Sequence, residues 1–216
     1  MSTRREPGAQ PPDSTDLETL RRAAGECRGC GLYRDATGTV FGTGGGDVFV
    51  LGEQPGEQED RAGEPFVGPA GRLLDRALGD ADLDRGSLYL TNAVKHFKFH
   101  LRGKRRIHDK PARSEVVACR PWLFAELRAV RPRLVLVLGA TAAQSVYGPG
   151  FRLTRHRGEP LDPPEDFAGL FTSAVATVHP AAVLRAPDRD TAYDAFVGDL
   201  RTLARLAAPR PGTPRS

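Results

Sequence analysis

Lysine is scarce in this sequence: there are four, Lys95, Lys98, Lys104 and Lys110, and all lie in the single stretch KHFKFHLRGKRRIHDK. Long apolar runs are missing altogether. No segment has the length of a membrane span, and the N-terminal MSTRREPGAQPPDS has no apolar signal core, so a soluble, cytoplasmic protein with no membrane partner is expected. Cysteine is limited to Cys27, Cys30 and Cys119, an odd number that argues against a disulfide framework. Cys27 and Cys30 form a CxxC pair, which points instead to metal or redox work. A thioredoxin-type pair would want a strand before it and a helix after it, and ECRGCGLY resembles a metal knuckle more closely.

What is present is concentrated. Lys95, Lys98, Arg102, Lys104, Arg105, Arg106 and Lys110 stand against Asp109, a local charge of +6. The whole chain carries +4, so everything outside this stretch sums to −2. His96, His100 and His108 and the aromatics Phe97 and Phe99 fall inside the same stretch. A localised basic patch interleaved with aromatics is the electrostatic footprint of phosphate-backbone contact.

At 216 residues the chain suits one α/β domain of moderate size with tails. Residues 1–16 are polar and Pro-rich and are expected to be a disordered tail, as are residues 207–216, leaving a folded domain over 17–206. Four short apolar runs, Val48 to Leu51, Leu88 to Thr91, Leu134 to Leu138 and Ala174 to Val178, have the pattern of buried parallel strands. Helices are expected between and beyond them, from Asp16 to Gly25, Pro69 to Leu78, Arg113 to Val130, Thr141 to Tyr147 and Thr191 to Leu206. The fold expected is a three-layer α/β/α sandwich with a central four-stranded, mainly parallel sheet. Such sheets bind ligands beyond the carboxyl ends of their strands. There the chain places Glu53 and Gln54, Asn92, a Gly139-Ala140-Thr141 turn, and His179. Glycosidic, phosphoryl and nucleotide chemistry are all compatible with that rim.

GEQPGEQED at 52–60, PFVGPAG at 65–71, LTNAVK at 90–95, ACRPWL at 118–123 and HPAAVLR at 179–185 resemble the family-4 uracil-DNA glycosylases over roughly 27–206. Gln54 and the KRRIH segment at 104–108 are similar to the UdgX subgroup of that superfamily. The resemblance implies an enzyme that flips uracil out of DNA and reads its edge in a pocket. Asn92 would pair with uracil N3–H and O4, Phe66 would stack on the ring, and Gln54 would belong to the same pocket while orienting His108. Glu53 would face the cationic sugar and His179 the developing charge on uracil O2, with Glu57 and Glu59 as alternatives to Glu53. His108 would attack C1′ and remain attached, giving a covalent protein–DNA adduct. Lys104 and Arg105 would contact phosphate, with Arg106 supporting the loop.

The resemblance also implies a [4Fe–4S] cluster on Cys27, Cys30, His96 and Cys119, with His96 standing where the family has a cysteine. Spacing alone favours a structural zinc instead. The partner implied is uracil-containing DNA, preferably single-stranded, and the protein is expected to be a monomer. The alternatives are a hydrolytic glycosylase that leaves a free abasic site and a non-catalytic iron–sulfur DNA-binding module.

Overall fold

The computed structural model of the chain describes residues 8–208. In chain order its helices are α1 (Leu17–Gly25), α2 (Glu57–Ala62), α3 (Pro69–Asp80), α4 (Arg113–Val130), α5 (Ala140–Tyr147), α6 (Leu153–His156), α7 (Pro180–Leu184) and α8 (Arg189–Ala207). Its strands are β1 (Thr43–Gly44), β2 (Val48–Gly52), β3 (Leu88–Asn92), β4 (Phe99–Arg102), β5 (Arg105–His108), β6 (Leu134–Leu138), β7 (Pro160–Leu161) and β8 (Ser173–Thr177).

The sandwich expected from the sequence is present. The strands β3, β2, β6 and β8 lie side by side and parallel, with Val50 opposite Leu90 and Leu136. The sheet has six strands, not four, because β1 and β7 add antiparallel edges of two residues each. Edges this short offer little template for pairing with another chain. Side chains alternate across the sheet. Val48, Val50, Leu134 and Leu136 pack with Leu74 and Leu78 of α3 and Phe196 and Leu200 of α8. Phe49, Leu51, Val135 and Val137 face the other way, toward Leu123 and Leu127 of α4 and Val146 of α5. That division makes the middle layer apolar on both faces, hence the unbroken β-branched and Leu runs. A third cluster, with Leu20, Ala24 and Trp122, joins α1 to α4. Asp16 starts α1 by accepting hydrogen bonds from the Thr19 N–H at 2.8 Å and from its hydroxyl at 2.6 Å.

The two expected tails fall partly outside the described residues. The described part of the first carries no helix or strand before α1, but the Gly8 and Ala9 N–H groups donate to Gly29 O at 3.1 Å and Ala118 O at 2.7 Å. The basic stretch forms an antiparallel hairpin of β4 and β5, with Phe99 opposite His108 and Arg102 opposite Arg105. Gly103, at φ +63°, opens its two-residue turn. Among the described residues no helix is long and apolar enough to cross a membrane.

Candidate active site

Three strand ends and one hairpin meet at a cavity of about 630 Å³. β2 and β3 end in register at Gly52 and Asn92, and His179 follows β8. Gly52 is required there: a Cβ would lie 2.3 Å from Asn92 Oδ1 and 2.7 Å from Phe66 Cζ. The amide and the aromatic ring therefore close over a bare backbone. Phe66 sits at φ +60°, a conformation that costs a bulky residue about 1–3 kcal/mol unless its surroundings enforce it. Two neighbours do so. Gly71 admits the Phe66 carbonyl, which a Cβ would approach to 1.7 Å. Buried Glu59 accepts from the Gly56 N–H at 3.1 Å and the Gly68 N–H at 2.8 Å, tying together the loops on either side of Phe66.

His179 caps α7, its Nδ1 accepting from the Ala181 N–H at 3.2 Å. That bond leaves the proton on Nε2, so the ring can donate to an acceptor in the cavity. Burial, with His108 and Arg185 adding to it, lowers its pKa to about 4, which keeps the ring neutral at pH 7. Its ring lies 6.4 Å from that of Phe66, centroid to centroid, at an interplanar angle of 26°.

His108, the last residue of β5, enters the same cavity from the hairpin side. Its Nε2 is 3.7 Å from Glu53 Oε1, while half of the imidazole remains exposed. Gln54 does not bond to this ring. Its Nε2 donates to Lys98 O at 3.2 Å and Asp109 O at 3.0 Å, and its Oε1 accepts from the Lys98 N–H at 3.2 Å. The amide is spent on the two ends of the hairpin, so it positions His108 through the backbone. Arg106 pins the hairpin from the other side through an ion pair with buried Asp60, its guanidinium 4.2 Å from the Phe99 ring centroid. Glu57 pairs with Arg61 at 2.7 Å, and Glu59 is occupied by backbone, which leaves Glu53 as the carboxylate beside His108.

The basic patch is smaller than its formal charge. Lys95 is buried against Glu126, Lys98 pairs with Glu115 at 2.9 Å, and Arg106 is held by Asp60. Lys104 and Arg105, at the hairpin tip, are exposed and make no ion pair among the described residues. Sequence reasoning missed Glu59, Asp60 and Glu126 as supports: Asp60 and Glu126 are paired only through the fold, whereas Glu59 also makes a local capping bond to the Gly56 N–H, a signal carried by the Gly-x-x-Glu spacing. Arg185, which lines the cavity, lay within the HPAAVLR segment but was given no role.

The expected metal ligands are adjacent without forming a metal-binding group: among the described residues no three His, Cys, Asp or Glu side chains gather to hold an ion. Neither the zinc centre favoured by spacing nor the four-ligand cluster set is gathered as such a group among the described residues. Cys27 and Cys119 do pack in the cluster between α1 and α4. Trp122 Nε1–H donates to Cys27 Sγ at 3.2 Å, and the Lys95 N–H to Cys119 Sγ at 3.4 Å. Burial pushes the Cys119 thiol up to about 12, and Cys30 and Cys27 push in the same direction. His96 borders a cavity with Cys27, its Nε2 2.9 Å from Thr39 Oγ1.

Residues 40–201 match the family model of the uracil DNA glycosylase superfamily. A type-4 uracil-DNA glycosylase of Pyrobaculum aerophilum is 35% identical over 180 residues, covering 80% of this chain and 86% of the relative. One from Archaeoglobus fulgidus is 31% identical over 203 residues, covering 91% and 96%. A third, from Thermotoga maritima, is 33% identical over 172 residues, covering 78% and 83%. With its sheet, its rim of strand-end residues and these relatives in agreement, the chain belongs to the uracil-DNA glycosylase superfamily.

Proposed function

We propose that this chain excises uracil from DNA and keeps the sugar it creates, through a bond from His108 to C1′. Excision is the activity named for its type-4 relatives. The observation that carries the capture step is the approach of His108 Nε2 to Glu53 Oε1, 3.7 Å apart at the mouth of the cavity that also holds Asn92, Phe66 and His179. A flipped uracil stacks on Phe66 and pairs its N3–H and O4 with the Asn92 amide. The C1′–N1 bond breaks and its electron pair leaves with uracil, whose growing negative charge is met at O2 by the neutral His179 Nε2–H. Glu53 faces the positive sugar. The Nε2 lone pair of His108 then bonds to C1′, the imidazolium gives its Nδ1 proton to solvent, and the uracil anion takes up a proton. Single-stranded DNA suits this site best, since no partner base must be displaced.

Incubating the protein with a uracil-containing single-stranded oligonucleotide and running a denaturing gel tests both parts. The expected result is a protein–DNA band that vanishes in His108→Ala. Free abasic product with no such band in the unaltered protein would mean ordinary hydrolysis, and intact uracil would leave only a binding module.

The cysteine region offers the kind of donors an iron–sulfur group takes. Its donors are thiols, two of which already receive N–H hydrogen bonds. Cys27, Cys30 and Cys119, with His96 as the fourth ligand, would hold a [4Fe–4S] cluster that ties the segment after α1 to the root of the hairpin. Such a cluster supplies cross-linking here, not electron transfer. Protein purified without oxygen should carry about four iron and four sulfide per chain on this assignment, and Cys119→Ala should lose them; an iron-free protein with one bound zinc would overturn it.

A further inference from the structure

A second cavity, of about 590 Å³, lies between α4 and α5 and is closed by residues 164–166. It shares no lining residue with the active-site cavity. Four buried side-chain polar atoms among the described residues have no hydrogen-bond partner, and three of them belong to residues lining this cavity: Thr141 Oγ1, Tyr147 OH and Arg120 Nε. Buried groups of this kind are costly when left unpaired, so three gathered beneath one cavity wall call for a partner that the cavity could admit. Thr141 is only 6% exposed. Burial, with Asp162 nearby, raises the Tyr147 phenol, which therefore stays protonated and acts as a donor.

The walls complete the description. Val117, one of two large apolar side chains left exposed among the described residues, stands at 57% exposure on the apolar side. Lys110 and Arg113 are exposed at the rim and make no ion pair among the described residues. Arg120 is paired with Asp166 at 2.9 Å, so the acidic 164–166 side confines any anionic group to the Lys110 side. A slot with apolar walls, hydroxyl and N–H groups recessed just beneath them and free cations at one edge suits a flat heterocycle bearing a phosphate, whose entry would turn those groups toward its carbonyl or ring-nitrogen acceptors.

We propose that this cavity is a second nucleotide site, taking a base against Thr141 and Tyr147 with its phosphate at Lys110 and Arg113. The base comes from the bound DNA strand or from a free nucleotide. A strand source is geometrically open: Lys110 is two residues beyond His108, a distance of about 7 Å in extended chain, so each cavity has a lining residue at the hairpin exit. The proposal is independent of uracil capture, because its test needs no uracil.

The test measures the affinity of the full chain for a single-stranded oligonucleotide with thymine throughout, by fluorescence anisotropy, and for thymidine monophosphate, by calorimetry. Val117→Trp fills the cavity from its solvent side, and Thr141→Val removes the buried hydroxyl; circular dichroism checks both folds. Loss of DNA affinity by at least about fivefold in either variant supports a base from the strand. Thymidine monophosphate binding that disappears in the variants, survives in His108→Ala and leaves DNA affinity untouched supports a free nucleotide. Unchanged affinity for both probes in both variants, or no nucleotide binding alongside unchanged DNA affinity, overturns the site.

Discussion

Asn92→Asp is expected to lower uracil release by at least about 10³-fold while changing DNA affinity little. The side chain is 2% exposed and its carbonyl oxygen rests over the Cα of Gly52, so it has no freedom to turn away. An amide offers uracil one acceptor and one donor, and N3–H and O4 need both. A carboxylate of the same shape offers two acceptors. One of them would face O4 beside a buried amide position that a bound base covers, where an unmatched polar pair costs most. The proposed phosphate contacts lie elsewhere, at the exposed Lys104 and Arg105, so binding and chemistry should separate. Single-turnover uracil release and anisotropy on the same oligonucleotide give the two numbers. Release within tenfold of the unaltered protein would remove Asn92 from uracil recognition.

Much of this site was legible in the sequence because parallel strands are written plainly. Val48 to Leu51 and Leu134 to Leu138 are buried on both faces, so their apolar runs are unbroken, and whatever follows each run lies at the rim. α4 begins and ends where its pattern does, at Arg113 and Val130. The edge strands left no trace, since two residues carry no period. α2 was invisible for a different reason: EQEDRA has no apolar stripe, and its two buried residues are acids, Glu59 bonded to loop N–H groups and Asp60 to Arg106 and Thr37. Charge misled in the same way. Lys95 counts toward a basic patch in the sequence, yet it lies inside the protein, because Glu126, its partner 31 positions away, is brought to it only by α4 packing on the sheet. Gln54 was expected to orient His108 directly, but it bonds to the hairpin backbone at Lys98 and Asp109, which side-chain spacing cannot reveal.

That interior lysine yields the second large effect, on stability. Lys95 Nζ bonds to Glu126, donates to Thr91 Oγ1 at 2.6 Å and to Asn92 O at 2.8 Å, and both partners of the ion pair are 1% exposed or less. Glu126 also accepts from the Tyr89 hydroxyl at 3.0 Å, the Thr91 hydroxyl at 2.8 Å and the Gly42 N–H at 3.1 Å. Lys95→Met keeps the length of the side chain but strands the carboxylate without its cation, which costs about 3–5 kcal/mol in comparable buried pairs. For a chain of this size the Tm should fall by roughly 6–20 °C. Adding Glu126→Gln removes the stranded charge while keeping acceptors for Tyr89 and Gly42, so the double variant should regain more than half of the loss. The single variant should also slow uracil release, because Lys95 holds the backbone carbonyl of Asn92 in place. If Lys95→Met melts within about 2 °C of the unaltered protein, less than 1 kcal/mol at this size, the pair is not what fixes the end of β3, and the position of Asn92 must depend on Gly52 and Phe66 alone.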